Sequence, residues 1–360
     1  GASASLSQPA QAKAPTAHAS LGLDAAWELD LFGAQDQARR AAQADCLSAE
    51  SQIRAARLSV LAEICLAYVE LRTEQQRLLV AEESLGQLQQ AEALARMRQQ
   101  AGLDTELAVL QARSTWAITR ASLPSLRADC MRSIHRLAVL LAKDTAELKA
   151  LLSPVSPIPK SPDQLALVVP ANALRKRPDI RQAELAVLAQ FAKLKQAHAA
   201  RYPSLSLQGS IGMSVVSGQA LSLANLLSQL LASLAWPLFD GGAIEQAIAQ
   251  EQARLDQALL AYRIAVFEAV EEAENAIEGW KAQRLRQNDL LEAVTATRQT
   301  AELALFQYES GLVDFSEVIT AQRALLQARD QQASSRGLLC QEFVRTIKSM
   351  GGGWNAPGKH

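Results

Sequence analysis

The chain has 360 residues, a formal net charge of −1 and 49% hydrophobic residues, yet only 4% aromatics. Near-zero charge leaves no basic surface of the kind nucleic acids require. No stretch reaches the ~18 consecutive apolar residues of a spanning helix, so a helical membrane protein is disfavoured while a strand-built one stays open. Abundant Ala, Leu and Gln with few aromatics favour helix-on-helix packing through small interface residues.

The architecture is set by a duplication. Trp27 and Trp236 lie 209 residues apart, as do Gly33 and Gly242, the pairs Gly102-Leu103 and Gly311-Leu312, and Ala112 and Ala321. Each copy reads as an alternating strand, a glycine turn, a very long helix, a Gly-Leu turn and a returning helix.

In chain order, residues 1–32 read as a strand pair. Ala19, Leu21, Leu23, Ala25, Trp27, Leu29 and Leu31 alternate with Ser20, Gly22, Asp24, Ala26, Glu28 and Asp30. That period of two predicts a strand with one apolar face and one wet face. Pro9 to Thr16 supplies the turn. From Gly33 to Gly102 no proline intervenes, and Leu61, Ile64, Tyr68, Leu71, Leu78, Leu85 and Leu88 mark a coiled-coil seam. One helix of ~70 residues, about 100 Å at 1.5 Å per residue, is predicted. Residues 104–142 run back, with Pro124 expected to kink or break the return. The prolines between 151 and 178 predict a surface loop. Arg177-Pro178-Asp179 then starts a helix to about Ala200, with Pro and Asp in its first turn. A second strand pair follows from Ser204 to Leu238. Residues 242–308 and 313–350 repeat the long helical plan. By the 209-residue offset, the counterpart of residues 176–208 would precede Gly1, so further sequence is expected there.

Cys46, Cys65, Cys130 and Cys340 lie in helical patterns without a Cys-x-x-Cys pair and are expected to be buried thiols. His18, His135, His198 and His360 lack metal-ligand spacing, and no phosphate-cradling glycine loop appears. No constellation of acid, base and nucleophile marks an enzyme, and no metal or other cofactor is expected.

Several blocks together resemble the outer-membrane efflux channel family, the TolC-like proteins, and most closely its NodT-type lipoprotein branch. They are Trp27 to Gly33, Arg177 to Ile180, Arg201 to Leu207, Pro237 to Gly242, Gly311 to Arg323, and Gly351 to Asn355. The resemblance implies an α+β fold. Four strands per protomer would enter a twelve-stranded barrel shared by a homotrimer, above a coiled-coil periplasmic tunnel. The implied domains are a barrel hairpin at 1–32, a helical hairpin at 33–142, a Pro-rich equatorial connector at 143–178 and a tunnel helix at 179–202. A second barrel hairpin at 203–240, a second helical hairpin at 241–350 and a tail at 351–360 complete it. The implied partners are outer-membrane lipid, a periplasmic adaptor and a proton-driven (RND-type) inner-membrane transporter. Family members carry lipid on an N-terminal Cys, which this chain does not contain.

By the same resemblance, the Gly-Leu turns form the periplasmic tip. Tyr308, Asp314, Glu317, Asp104 and Glu106 would surround the aperture. Gly102, Leu103, Gly311, Leu312, Ala112, Ala321 and Gln322 would meet the adaptor. Glu317 stands six residues after Gly311, where the family's aperture has an acid, but Thr320 occupies the ninth position and Ala108 is six after Gly102. Trp27 and Trp236, at strand ends, suit a membrane-interface belt. The expected function is a passive exit duct. A periplasmic coiled-coil adaptor or scaffold is the alternative, although the β-rich modules of adaptors are not apparent.

Overall fold

The structure, a computed structural model, describes residues 2–7, 16–162, 174–216 and 226–352. The expected first turn at 8–15 and the tail beyond Gly352 lie outside the described residues. The chain falls into two compact units, residues 1–50 with 182–264, and residues 51–181 with 265–360.

The first unit holds a four-stranded antiparallel sheet in the order β1 (Ala2–Ser7), β2 (Thr16–Leu29), β3 (Ser204–Val216), β4 (Leu226–Ala235). Neighbours in the sheet are also neighbours in chain order within each hairpin, and the β2–β3 pair joins the two repeats. The register sets Trp27 opposite Leu207, which faces Ala232, and Leu29 opposite Leu205, which faces Leu234. One residue along, Glu28 meets Ser206, which meets Ser233. Directly paired residues share a face, so the alternation in sequence becomes one apolar and one polar sheet face. Leu231, opposite Gln208, is an apolar residue on the polar face.

Six helices appear among the described residues: α1 (Ala34–Gln100), α2 (Glu106–Leu141), α3 (Thr145–Leu152), α4 (Pro178–Ala199), α5 (Ala243–Glu309) and α6 (Phe315–Ser349). α1 and α5 each run 67 residues, as the uninterrupted patterns predict. Both begin where a carboxylate accepts backbone N–H groups. Asp30 Oδ2 receives the Asp36 N–H at 2.8 Å, and Asp240 receives those of Ile244 and Gly242 at 2.7 and 3.0 Å. Those bonds hold the Asp240 carboxyl below its usual range.

Three expectations need correction. Of the kink or break expected at Pro124, the break does not occur: α2 continues through it to Leu141. The stretch from 151, expected to run along the surface, does not stay there: it leaves α3 at Leu152, and Ile158 is 2% exposed. Arg72, itself buried, donates to the carbonyls of Leu152 and Pro154 at 3.3 and 2.8 Å, and Trp280 Nε1 donates to Ser161 Oγ at 2.9 Å. A guanidinium at the C-terminus of α3 satisfies carbonyls the helix leaves open. Finally, Cys46 and Cys65 are exposed, and only Cys130 and Cys340 are buried. Position on a helix face, rather than residue type, decided this.

The second unit carries two apolar clusters. One joins Leu88, Ala91, Ala95, Ala108, Ala112, Ala304, Tyr308, Phe315 and Val318 near the Gly-Leu turns. The other joins Ala67, Leu71, Cys130, Ile134, Leu137 and Leu148. α1 and α6 approach so closely that a Cβ on Gly337 would fall 2.1 Å from Thr73 Oγ1, which is why a helical glycine stands there.

The Arg177-Pro178-Asp179 motif is a structural clasp. Arg177 donates to Asp179 and Glu272, both at 2.7 Å, and to the Ser349 carbonyl at 2.8 Å, tying the start of α4 to α5 and the end of α6. Burial pushes the Asp179 carboxyl up, but the Arg177 hydrogen bonds and charge outweigh it and hold it below the usual carboxylate range. The charged form therefore stabilises the fold at neutral pH, and this contribution is lost as pH falls through the depressed value. Asp179→Asn is expected to lower the unfolding temperature at pH 7. The gap to wild type should close below the ordinary aspartate range, and a pH-independent gap in thermal unfolding would contradict the clasp.

Candidate functional site

The two Gly-Leu turns have the same geometry. Gly102 and Gly311 both sit at φ +72°, which disfavours any residue with a Cβ. Leu103 N–H donates to Arg98 O at 2.8 Å, and Gly102 N–H to Gln99 O at 3.0 Å. Leu312 and Gly311 make the equivalent bonds to Gln307 and Tyr308 at the same distances. These are paired Schellman stops: glycine ends the long helix, and the next chain segment leaves in the return direction. Leu103 and Leu312 stay 66% and 72% exposed, so the turns present apolar side chains outward.

The two turns are bonded to each other. Tyr308, at the end of α5, donates its hydroxyl to Asp104 beyond the first turn. Arg98 Nη1 donates to Glu309 O at 3.0 Å, and its guanidinium stands 4.8 Å over the Tyr308 ring. The ring meets Phe315 edge-on with centroids 5.1 Å apart. Burial, then the bond to Asp104, pushes the Tyr308 hydroxyl well above the usual phenol range, so it remains a donor. Tyr308 is only 2% exposed. It belongs to the apolar cluster packed behind the turns.

The other expected residues separate into two groups. Asp314, which precedes α6, and Glu317 and Glu106, in the first turns of α6 and α2, are exposed acids. Ala112, Ala321 and Gln322 are buried at 0, 6 and 8% exposure. The two alanines hold equivalent places in the tip cluster, where small side chains let helices approach. Gln322 Oε1 has no hydrogen-bond partner there. The Asp104–Tyr308 bond was not legible in the sequence, because it joins positions 204 apart whose pairing depends on how the hairpins pack.

At the sheet, Trp27 and Trp236 are 66% and 58% exposed, and Trp236 Nε1 donates to Arg201 O at 3.3 Å. Phe32 stacks on Tyr202 at 4.7 Å, and Leu238 and Phe239 are exposed beside the strand ends. These four residues extend the aromatic and apolar zone beyond the two tryptophans expected from sequence. Among the described residues no group of three or more His, Cys, Asp or Glu side chains gathers in metal-binding proximity. No described helix is long and apolar enough to cross a membrane, which says nothing about a β-barrel.

The sequence profile described as outer membrane efflux protein matches residues 1–143 and 169–352. The chain belongs to the outer membrane efflux protein family. Among relatives, the pyoverdine export outer membrane protein OpmQ of Pseudomonas putida is 30% identical over 337 residues, covering 93% of this chain and 70% of that protein. Nodulation protein T of Rhizobium leguminosarum bv. viciae is 27% identical over 338 residues, covering 94% and 70%. Among solved structures, the outer-membrane channel OprN superposes with a TM-score of 0.88 at 34% identity, over 98% of this chain and 80% of that one. The efflux protein described here is thus a mostly helical outer-membrane channel of the TolC-like kind.

Proposed function

We propose that this efflux protein is the passive exit duct of a tripartite pump, built as a homotrimer and doing no catalysis. The observation that carries the reading is the sheet: β1 and β4 are its edge strands, and one face is apolar from Trp27 to Leu23. In lipid, unpaired edge groups are prohibitive, so β1 must meet β4 of another copy until a barrel closes. Three such sheets give twelve strands. Energy for export comes from an inner-membrane transporter reached through a periplasmic adaptor. The exposed turn residues Leu103 and Leu312 offer the adaptor an apolar tip, while Trp27, Trp236, Phe32 and Tyr202 rest in outer-membrane headgroups. The domain plan of 1–32, 33–142, 143–178, 179–202, 203–240, 241–350 and 351–360 is kept, with α3 placed inside the connector. A lipid anchor on an N-terminal Cys would belong to sequence outside this chain.

Threefold symmetry turns each tip acid into a ring of three. Asp314 and Glu317, with Asp104 and Glu106 nearby, then make the aperture acidic, favouring cations over anions. Light scattering of the detergent-solubilised protein is expected to give a trimer, and a monodisperse monomer with native helix content would refute the reading. In planar bilayers, the double variant Asp314→Ala/Glu317→Ala is expected to lose cation selectivity severalfold. Unchanged selectivity in a stable trimer would make these acids a solvated turn only.

A further inference from the structure

Between the two apolar clusters of the second unit, α2 is poorly held. From Thr119 to Cys130, eleven residues apart along the chain, Leu123 is the one fully buried side chain. Over the same levels α1 stays packed through Val80, Ala81 and Ser84, and α6 through Leu325, Ala328 and Ala333. A cavity of about 700 Å³ opens beside α2 there, lined by Arg77, Thr119, Ser122, Leu126, Leu326 and Asp330 among others. Pro124 sits at this level, inside the helix.

Three features weaken the helix at one place. Pro124 has no N–H, so the Arg120 carbonyl loses its i+4 donor, and the pyrrolidine ring crowds that carbonyl. Ser122 Oγ donates back to Thr119 O at 2.7 Å, and Ser125 Oγ to Ser122 O at 2.8 Å. Back-bonding hydroxyls bend helices, and proline is among the commonest causes of a kink. At this level the link from α2 to α1 is an exposed ion pair, Arg127 to Glu82, while the part-buried bond from Arg323 to Thr115 lies a turn nearer the tip. An exposed pair of that kind holds weakly. By the 209-residue offset the equivalent of Pro124 is Ala333, 1% exposed and packed in α6.

We propose that α2 carries a hinge at Pro124, about which its tip-side half swings into the adjacent cavity while α6, its counterpart in the second repeat, stays straight and pinned. The duplication has thus made one compliant hairpin and one stiff one. The swing would carry Asp104, just ahead of α2, away from Tyr308, and this consequence rests on the tip acting as a gate.

Hydrogen–deuterium exchange on the full chain in detergent tests the hinge. Amides of residues 120–128 are expected to exchange at least tenfold faster than those of 329–337. Pro124→Ala, which restores a helix former and a donor, should slow them severalfold without changing 329–337, and Ser122→Ala should slow them less. Equal protection of the two stretches, or fast exchange persisting in Pro124→Ala, overturns the hinge whatever the channel does. If Pro124→Ala abolishes fast exchange but leaves bilayer open probability unchanged, the hinge stands and the gate reading falls.

Discussion

An arginine at Leu230 is expected to prevent this efflux protein from accumulating as a folded oligomer in membranes. Leu230 is 83% exposed and pairs with Gly209, which pairs with Ala25, so it shares a face with Leu23 and Trp27. In water that exposure would be a liability; in the barrel proposed above Leu230 would face lipid. A charge on that face in mid-bilayer costs about 2–4 kcal/mol per protomer, a large share of the stability of any domain. Gln208 stands one register step away on the polar face, opposite Leu231. Gln208→Arg should therefore leave assembly near normal. The measurement is the yield of heat-resistant oligomer in the outer-membrane fraction. Equal losses for both variants would mean that the sheet faces are assigned wrongly.

The sequence made the strands, the long helices and both glycine stops readable, because each rests on a local rule. Alternation around Trp27 needs only the pleat, and Gly102 and Gly311 needed only a positive φ. The same locality explains the misses. Pro124 is expected to kink or break the return; packing on both sides of it, by Ala112 and Trp116 above and by Cys130 and Ile134 below, keeps the helix from breaking. Tertiary contacts outweigh a local penalty of about 3 kcal/mol when two clusters share the load. The connector's prolines read as a surface path, but Arg72 and Trp280 draw it onto the helices from positions distant in sequence. Proximity to Gly311 puts Tyr308 near the tip but does not say which way it points: its ring faces Phe315 and its hydroxyl faces Asp104. Direction around a helix is what proximity in sequence leaves out.

That hydroxyl carries the largest functional effect expected here. In the exit duct proposed above, opening the tip would part the two hairpins of a protomer, and the bond from Tyr308 to Asp104 crosses between them. Tyr308→Phe keeps the buried ring against Phe315 and beneath Arg98, and deletes only the donor. A hydrogen bond to a charged acceptor is worth roughly 1.5–3 kcal/mol, and a half-exposed Asp104 reduces this to about 1 kcal/mol. In the trimer proposed above, threefold symmetry would multiply it. If the three copies open together, the tip equilibrium shifts by about 3 kcal/mol, on the order of a hundredfold. Tyr308→Phe should thus raise the open probability of single channels in planar bilayers by one to two orders of magnitude, while thermal stability changes little. Ser310→Ala removes an exposed hydroxyl that bonds only within its own helix end, to Phe306 O, and should leave gating as in wild type. If Tyr308→Phe behaves like Ser310→Ala, the contact between the turns is packing alone, and the resistance to opening must lie in the ring of Asp314 and Glu317.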